Sequence, residues 1–280
     1  MKRSLVPTLA FAVAAGLSSL PAAAQQMLDR VDCATLSGER AIAACTRIIK
    51  SGRARGPELA ETLVNRGNAY RATKKLDQAI ADFAEALRVQ PGLPRALLGR
   101  GNAYSDRREF DKALAQYEEA ARINPKYALA FHNRGLVLMK KGEFGRAIAE
   151  NTIAIELEPD NAMFWEGRCL SRMIGAIELD DAIADCTRSL RVRRDASAFR
   201  TRGFVYLKMG EIEKSIADFD TALLMIPQWD EAHYGRGLAK LLRGDSAGGQ
   251  ADIAAAKAIT PDIEKELAFF RLQKPGRTRI

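Results

Sequence analysis

Apolar and polar residues recur along this chain with the period of amphipathic α-helices, in segments of helical length joined by short polar turns. Two such segments, separated by a turn such as TKKLD (residues 73–77) or KKGEF (140–144), form one unit, and the unit recurs. One pair of amphipathic helices cannot cover its own apolar surface, whereas stacked pairs can. The pattern therefore predicts an all-α protein of stacked antiparallel helix hairpins.

A fixed period of thirty-four residues runs through these units. The hexapeptide NRGNAY at residues 65–70 returns as GRGNAY at 99–104. In one frame, an arginine precedes each of Gly67, Gly101, Gly135, Cys169, Gly203 and Gly237. Small residues follow at fixed distances, and a proline ends five of these six units. We expect the glycine to face alanines in the second helix of its hairpin, and the proline to end that helix.

These positions resemble the tetratricopeptide repeat (TPR), with its W-x2-L-G-x2-Y, A-x3-F-x2-A and final proline. The resemblance covers residues 60–263. It implies six repeats in a right-handed α-solenoid, at 60–93, 94–127, 128–161, 162–195, 196–229 and 230–263. Outside them, residues 25–56 fit a degenerate helical hairpin with a linker. Residues 264–280 fit a capping helix with a basic tail.

The first 24 residues have the features of a secretory signal peptide. Lys2 and Arg3 precede an apolar run from Leu5 to Leu20, and Ala22 and Ala24 occupy the positions of an A-x-A cleavage site. Cleavage after Ala24 would give a periplasmic or secreted protein without an integral membrane segment. An uncleaved anchor is the alternative, although the apolar run is interrupted and shorter than the ~20 residues that span a bilayer.

The four cysteines of the chain fall at related positions of the repeat frame. Cys169 replaces the first-helix glycine of the fourth repeat, and Cys186 occupies a large-residue position in the second helix. Cys45 holds the equivalent position in the N-terminal hairpin, and Cys33 lies on its first helix. We therefore predict disulfides Cys33–Cys45 and Cys169–Cys186, as an exported protein would allow. Four buried free thiols are the alternative.

We find no sign of catalysis, metal binding or a cofactor. The chain has no glycine-rich phosphate loop, no C-x-x-C and no H-E-x-x-H. Carboxylates such as Asp77, Asp82 and Glu85 are expected to be solvated on the outer faces of second helices. Of the two histidines, His233 occupies a core position of a first helix. The expected protein is not an enzyme.

The resemblance implies ligand positions on the first helices, which build the concave face in this family. In the first two repeats these positions are polar, at Asn68, Arg71 and Asn102. From the third repeat onward most are apolar: His132, Leu136, Met139, Leu170, Met173, Phe204 and Leu207. A Met- and Leu-rich groove would suit a helix or extended peptide of a protein partner. The same side chains could instead pack inside the solenoid or lie under the C-terminal helix.

Basic residues gather at the junction of the fourth and fifth repeats, at Arg188, Arg191, Arg193 and Arg194, in a chain of net charge +8. This basic patch could bind an anionic glycan or lipid of the cell envelope, or it could be a solvated surface without a function. Nucleic acid is not expected, because no reading module or interleaved aromatic residues accompany the patch. The sequence thus predicts a non-catalytic scaffold for protein interactions, with an envelope-surface structural protein as the alternative.

Overall fold

The computed structural model describes residues 22–270, and over that range it is built of α-helices, one 3-10 turn and short connections. The helices pair in chain order into hairpins, and each hairpin contacts the next. The first hairpin comprises α1 (Ala22–Thr35) and α2 (Gly38–Lys50). The others are α3 (Gly56–Ala72) with α4 (Leu76–Val89), α5 (Pro94–Asp106) with α6 (Phe110–Ile123), α7 (Ala128–Lys140) with α8 (Phe144–Leu157), α9 (Ala162–Gly175) with α10 (Leu179–Val192), α11 (Ala196–Met209) with α12 (Ile212–Met225), and α13 (Asp230–Arg243) with α14 (Ser246–Ile259).

The result is an all-α solenoid of helix hairpins, as the hydrophobic pattern predicts. The predicted signal peptide lies outside the described residues as far as residue 21, and so does the basic tail from residue 271.

The turn inside each repeat hairpin contains a residue with left-handed backbone. Three repeats place glycine there: Gly142, Gly210 and Gly244, with φ of 81°, 80° and 94°. The first two repeats instead place Lys74 at φ 61° and Arg108 at φ 62°. A Cβ atom is strained in this conformation, so these two turns are less favourable than the glycine turns. The fourth repeat has an extra residue, and two positions of its turn, Ala176 and Glu178, are left-handed.

The first-helix glycines face large side chains rather than the alanines that we expected. A Cβ on Gly67 would lie 2.9 Å from Cε1 of Phe83, and one on Gly99 would lie 2.4 Å from the same atom. The fully buried Phe83 ring therefore occupies the space between glycines of two successive hairpins. Phe219 has the same position between the fifth and sixth repeats. In the first and fifth repeats, one aromatic ring thus packs the hairpin internally and joins it to the next.

The arginine of the repeat frame pairs with a carboxylate of the second helix. Arg66 donates from Nε and Nη2 to the two carboxylate oxygens of Asp82, each at 2.7 Å, and from Nη1 to the Thr46 hydroxyl of the preceding hairpin at 3.2 Å. Asp82 is only 6% exposed, so the expectation that it is solvated was wrong. Asp77 is exposed. Equivalent pairs are Arg168–Asp185, Arg202–Asp218 and Arg236–Asp252.

Both cysteine pairs lie at bonding distance, in the predicted combination. The Sγ atoms are 2.08 Å apart in Cys33–Cys45 and 2.11 Å apart in Cys169–Cys186. The second disulfide links α9 to α10 at the positions where other repeats place a glycine against a large side chain. It therefore replaces the ring contact within the fourth hairpin by a covalent bond.

The C-terminal segment differs from the single amphipathic helix that the sequence predicted. A one-turn helix, α15 (Ile263–Glu266), leads directly into a 3-10 turn, Leu267–Phe270. The helix α15 contacts α13, whereas the 3-10 turn reaches α9, two hairpins earlier in the chain. A continuous helix from residue 263 would run straight, so the break allows the chain to follow the inner side of the solenoid.

Candidate interaction surface

The first helices of the hairpins line the inner, concave side of the solenoid. Each of α3, α5, α7, α9 and α11 contacts the first helix of the next hairpin directly, in addition to its own partner helix. Helices that approach one another across successive repeats lie on the more tightly curved side of a stack. The predicted groove residues belong to these helices, but the structure divides them into an open polar half and a covered apolar half.

The polar half contains a cleft of about 250 Å³ formed by the first three repeats. Arg71, Asn102 and Leu136, all predicted as groove residues, contribute to its lining. Asn68, on the same helix as Arg71, is exposed. The other lining residues are Ser105, Asp106, Tyr117, Asn133, Val137 and Lys140. The cleft therefore brings side chains of α3, α5 and α7 together with one tyrosine of α6.

Two hydrogen bonds hold the side chain of Asn102, in the lining of this cleft, in a fixed orientation. Its Oδ1 accepts hydrogen bonds from the Tyr117 hydroxyl at 2.7 Å and from Nδ2 of Asn133 at 2.8 Å. Burial raises the pKa of the Tyr117 hydroxyl far above its ordinary value, so this group stays a donor at neutral pH. The Asn102 Nδ2 group has no hydrogen-bond partner among residues 22–270 and remains available as a donor.

The charged groups of the cleft are two cations and one carboxylate. Arg71 Nε lies 3.9 Å from an oxygen of Asp106, a long contact between partly exposed groups. Lys140 is exposed and has no ion pair within the described part of the chain. Donors and positive charge therefore predominate, and the cleft is suited to a ligand that offers carbonyl or carboxylate oxygens.

The apolar half of the predicted groove is not solvent-facing, contrary to the open-groove interpretation of the sequence. Leu136 and Leu170 are half-buried. The remaining predicted apolar positions are buried: Met139, Met173, Phe204 and Leu207. Phe204 packs against Phe219 of its own hairpin at 4.9 Å between ring centroids and against Phe270 at 5.1 Å. The C-terminal segment thus covers this surface at Phe204. Cover by that segment and packing inside the solenoid were both alternatives that the sequence left open.

His132 was expected on the groove face, but it is a core residue. Its side chain is 3% exposed, its Nδ1 lies 2.8 Å from Oδ1 of Asn151, and its ring packs on Phe164 at 5.1 Å. Burial lowers the pKa of the imidazole, and the bond to Asn151 partly opposes that shift. The signal in the sequence was Asn151 itself, a polar residue where other repeats place a large apolar one.

Comparisons with known families agree with this architecture. The model of the tetratricopeptide repeat matches residues 60–93, and a second TPR repeat model matches residues 101–142. The chain is a tetratricopeptide repeat protein. A comparison with curated proteins gives no match.

Solved TPR structures share the fold at low sequence identity. A chain of the APC/C hetero-tetramer Cut9–Hcn1 has a TM-score of 0.68 and 17% identity. The match covers 89% of this chain and 51% of that one, so this protein spans about half the length of that chain. A TPR protein from Parabacteroides merdae ATCC 43184 has a TM-score of 0.66 and 19% identity, and the match covers 88% of this chain and 94% of that one. The type IV pilus biogenesis factor PilW has a TM-score of 0.67 and 17% identity, and the match covers 75% of this chain and 99% of that one. Such identities show a common fold, and the TPR fold supports an interaction scaffold.

The basic patch of this TPR protein is partly neutralised. Arg188 lies 3.4 Å from a carboxylate oxygen of Asp160, and Arg193 lies 3.0 Å from one of Asp195. Arg191 is exposed without an ion pair in the described residues, and Arg194 is also exposed. The four arginines are therefore close in sequence but do not form one uncompensated cationic surface.

Residues 244–248 read GDSAG, which matches the G-x-S-x-G pattern of serine hydrolases and which sequence reasoning overlooked. The pattern is meaningful when a strand precedes the serine and a helix follows it. Here Ser246 is the first residue of α14 and follows a hairpin turn after α13, with Asp245 accepting a hydrogen bond from the Gly248 amide. The serine therefore belongs to a helix cap and not to a nucleophile elbow.

Between residues 22 and 270, no helix has both the length and the hydropathy to span a bilayer. No cluster of His, Cys, Asp and Glu side chains there has an arrangement that could hold a metal ion.

Proposed function

We propose that this protein is an exported, non-catalytic scaffold that binds an extended, acidic segment of a protein partner in the polar cleft of the first three repeats. The observation that carries the proposal is the fixed amide of Asn102, with its Nδ2 group free to donate, in a cleft that the cations Arg71 and Lys140 also line.

An extended peptide offers carbonyl oxygens along its length, and a side-chain amide can bind them without regard to sequence. Because Tyr117 and Asn133 already hold the oxygen of Asn102, little conformational entropy is lost when its nitrogen binds a ligand. Arg71 and Lys140 would then favour a carboxylate on the bound segment. These charges would select among peptides, whereas the amide would fix the position of the peptide backbone along the cleft.

The proposed location outside the cytoplasm is supported by residues 1–24 and by the two disulfides, since disulfides persist in oxidising compartments. Intact-mass measurement of the native protein, after cell fractionation, should find a chain that begins at Gln25 in the periplasmic or secreted fraction. A chain that retains residues 1–24 would contradict export with cleavage.

The binding site can be tested in two steps. Crosslinking and pull-down from the native envelope fraction identifies the partner segment, and a synthetic peptide of that segment then measures affinity. We expect Lys140→Glu and Asn102→Ala each to weaken binding about tenfold or more. The first substitution removes a charge-assisted contact, and the second removes a well-placed hydrogen bond. Replacing Asp and Glu of the peptide by Asn and Gln should weaken binding to the unmodified protein similarly.

Lys126→Glu is the matched control, because Lys126 is an exposed lysine of the turn after α6, outside the cleft. It makes the same change in net charge and should leave the affinity within about twofold, as expected for an exposed charge. Equal weakening by Lys126→Glu and Lys140→Glu would show a general charge effect and contradict the cleft. Binding of anionic lipid vesicles that depends on Arg191 would favour the envelope-surface alternative.

A further inference from the structure

The apolar half of the concave face already holds an occupant, the C-terminal segment 263–270. Ile263, Leu267 and Phe270 are 0%, 3% and 9% exposed, and they share one apolar cluster with Met173 and Phe204. We propose that this segment is a displaceable intramolecular ligand. The surface beneath it would bind a partner's helical turn that presents two apolar side chains three residues apart, as Leu267 and Phe270 do.

The position of the segment is more than that of an end cap. A cap of the last repeat needs to cover only its own hairpin, and α15 lies there, in contact with α13 and with Ile263 fully buried. Residues 267–270 continue past it to α9, and Phe270 packs on the Phe204 ring of α11. The 3-10 turn therefore lies along the concave face, across repeats to which it is not adjacent in sequence. A peptide of another chain would enter the same face in the same way.

Apolar packing and a surface ion pair hold the segment in place. It is joined to α14 by the short connection Thr260–Asp262. The ion pair between Lys257 and Glu264 at 2.9 Å attaches it to the outer surface, and both partners are substantially exposed. Backbone ordering of a four-residue turn opposes much of the gain from burying Leu267 and Phe270. Release of residues 267–270 would leave Ile263 and the cap in place.

The surface below the segment determines what could replace it. Met173 and Phe204 offer a flexible thioether and an aromatic face, a combination that accommodates aliphatic and aromatic side chains of varied shape. The spacing of Leu267 and Phe270 places both side chains on one side of a helical turn. The fitting partner is thus a short amphipathic helix with Leu or Phe anchors, distinct from the acidic extended segment of the polar cleft.

The proposal rests on the proposed function only in placing ligands on the concave face, and its test needs no natural partner. A fluorescent peptide with the sequence of residues 261–272 is titrated into the full-length protein and into its Leu267→Ala/Phe270→Ala variant. The variant should bind the peptide at least tenfold more tightly, because its own segment no longer competes. Ala268→Ser, at an exposed position of the same turn, is the control and should bind as the unmodified protein does.

Equal affinity of the peptide for the unmodified protein and the variant would overturn the proposal, and so would loss of helicity in the variant, because the segment would then be part of the core. Hydrogen exchange of the unmodified protein gives a reading without substitutions. Amides of residues 267–270 should exchange at least tenfold faster than those of α13. Exchange as slow as that of α13 would contradict displacement. Failure of the Lys140→Glu experiment would leave this result unaffected, since Lys140 lies outside the apolar cluster and outside α9, which the 3-10 turn contacts.

Discussion

Arg202 and Asp218 form a two-point ion pair inside the fifth repeat. Nε and Nη2 of the guanidinium donate to the two carboxylate oxygens at 2.7 and 2.8 Å, and Nη1 donates to the Thr187 hydroxyl of the preceding hairpin at 3.1 Å. The nearby carboxylate raises the pKa of Arg202. One arginine thus connects both helices of its own hairpin and the hairpin before it.

Asp218→Ala should lower the free energy of unfolding by about 2–4 kcal/mol, because it leaves a largely buried guanidinium without its anion. Urea denaturation followed by circular dichroism measures the change. Glu211→Ala is the control: Glu211 pairs with Lys214 at 3.0 Å on the surface, and its loss should change stability by less than about 1 kcal/mol. Equal effects of the two substitutions would show that the buried ion pair contributes no more to the free energy of unfolding than a surface ion pair does.

Arg108→Gly should stabilise the protein. Arg108 has φ 62° in the turn of the second repeat, where three other repeats have glycine. Relief of the left-handed strain should outweigh the greater entropy of glycine in the unfolded chain, for a net gain of about 0.5–1 kcal/mol. Thermal unfolding checks the gain. Arg108→Ala removes the same exposed side chain but keeps the Cβ atom, so an equal gain in that variant would assign the effect to the side chain.

Removal of the disulfide in the fourth repeat should destabilise the middle of the solenoid. The chain-entropy account gives about 3 kcal/mol for a loop of this size, which Cys169→Ala/Cys186→Ala would lose. Because repeats stabilise their neighbours, hydrogen exchange should quicken in the third and fifth repeats as well as in α9 and α10. If the variant were as stable as the oxidised protein, the disulfide would contribute nothing to stability beyond the packing of the fourth repeat.

Stability should fall in mild acid because of His132. Burial depresses the pKa of its imidazole in the folded protein, whereas the unfolded chain has the ordinary value of about 6.5. The unfolded state therefore binds the proton first, so this contribution is complete above pH ~6.5 and is lost progressively below it.

His132→Gln removes the titration and keeps a polar partner for Asn151. Between about pH 7.5 and pH 5.5, the melting temperature of the unmodified protein should fall more than that of the variant. Carboxylates titrate in both proteins, so their effects cancel in the comparison. Parallel pH profiles would mean that the folded protein accommodates the imidazolium.

The repeat frame of the sequence was sufficient for the hairpins and for the cysteine pairs, because both depend on positions related by one period. It was not sufficient for Asp82 or His132. Their polarity suggested solvent, whereas Arg66 and Asn151 supply partners inside the stack. The sequence also left open whether Met173 is covered, since residues 264–270 lie outside the period and their path depends on contacts with distant helices.

The bond between Cys169 and Cys186 has a mechanical consequence. Hairpins of a solenoid that is pulled from its ends can unravel one after another, and each releases chain in proportion to the residues between its anchor points. The loop between the two cysteines, whose sequence separation is 17, cannot extend while the disulfide is intact. At roughly 3.5 Å per residue, this removes about 60 Å from the length that the pulled chain can reach. Unfolding of the fourth repeat therefore lengthens the molecule less than unfolding of a repeat without a disulfide, and the bond limits how far a force on either end can extend the chain.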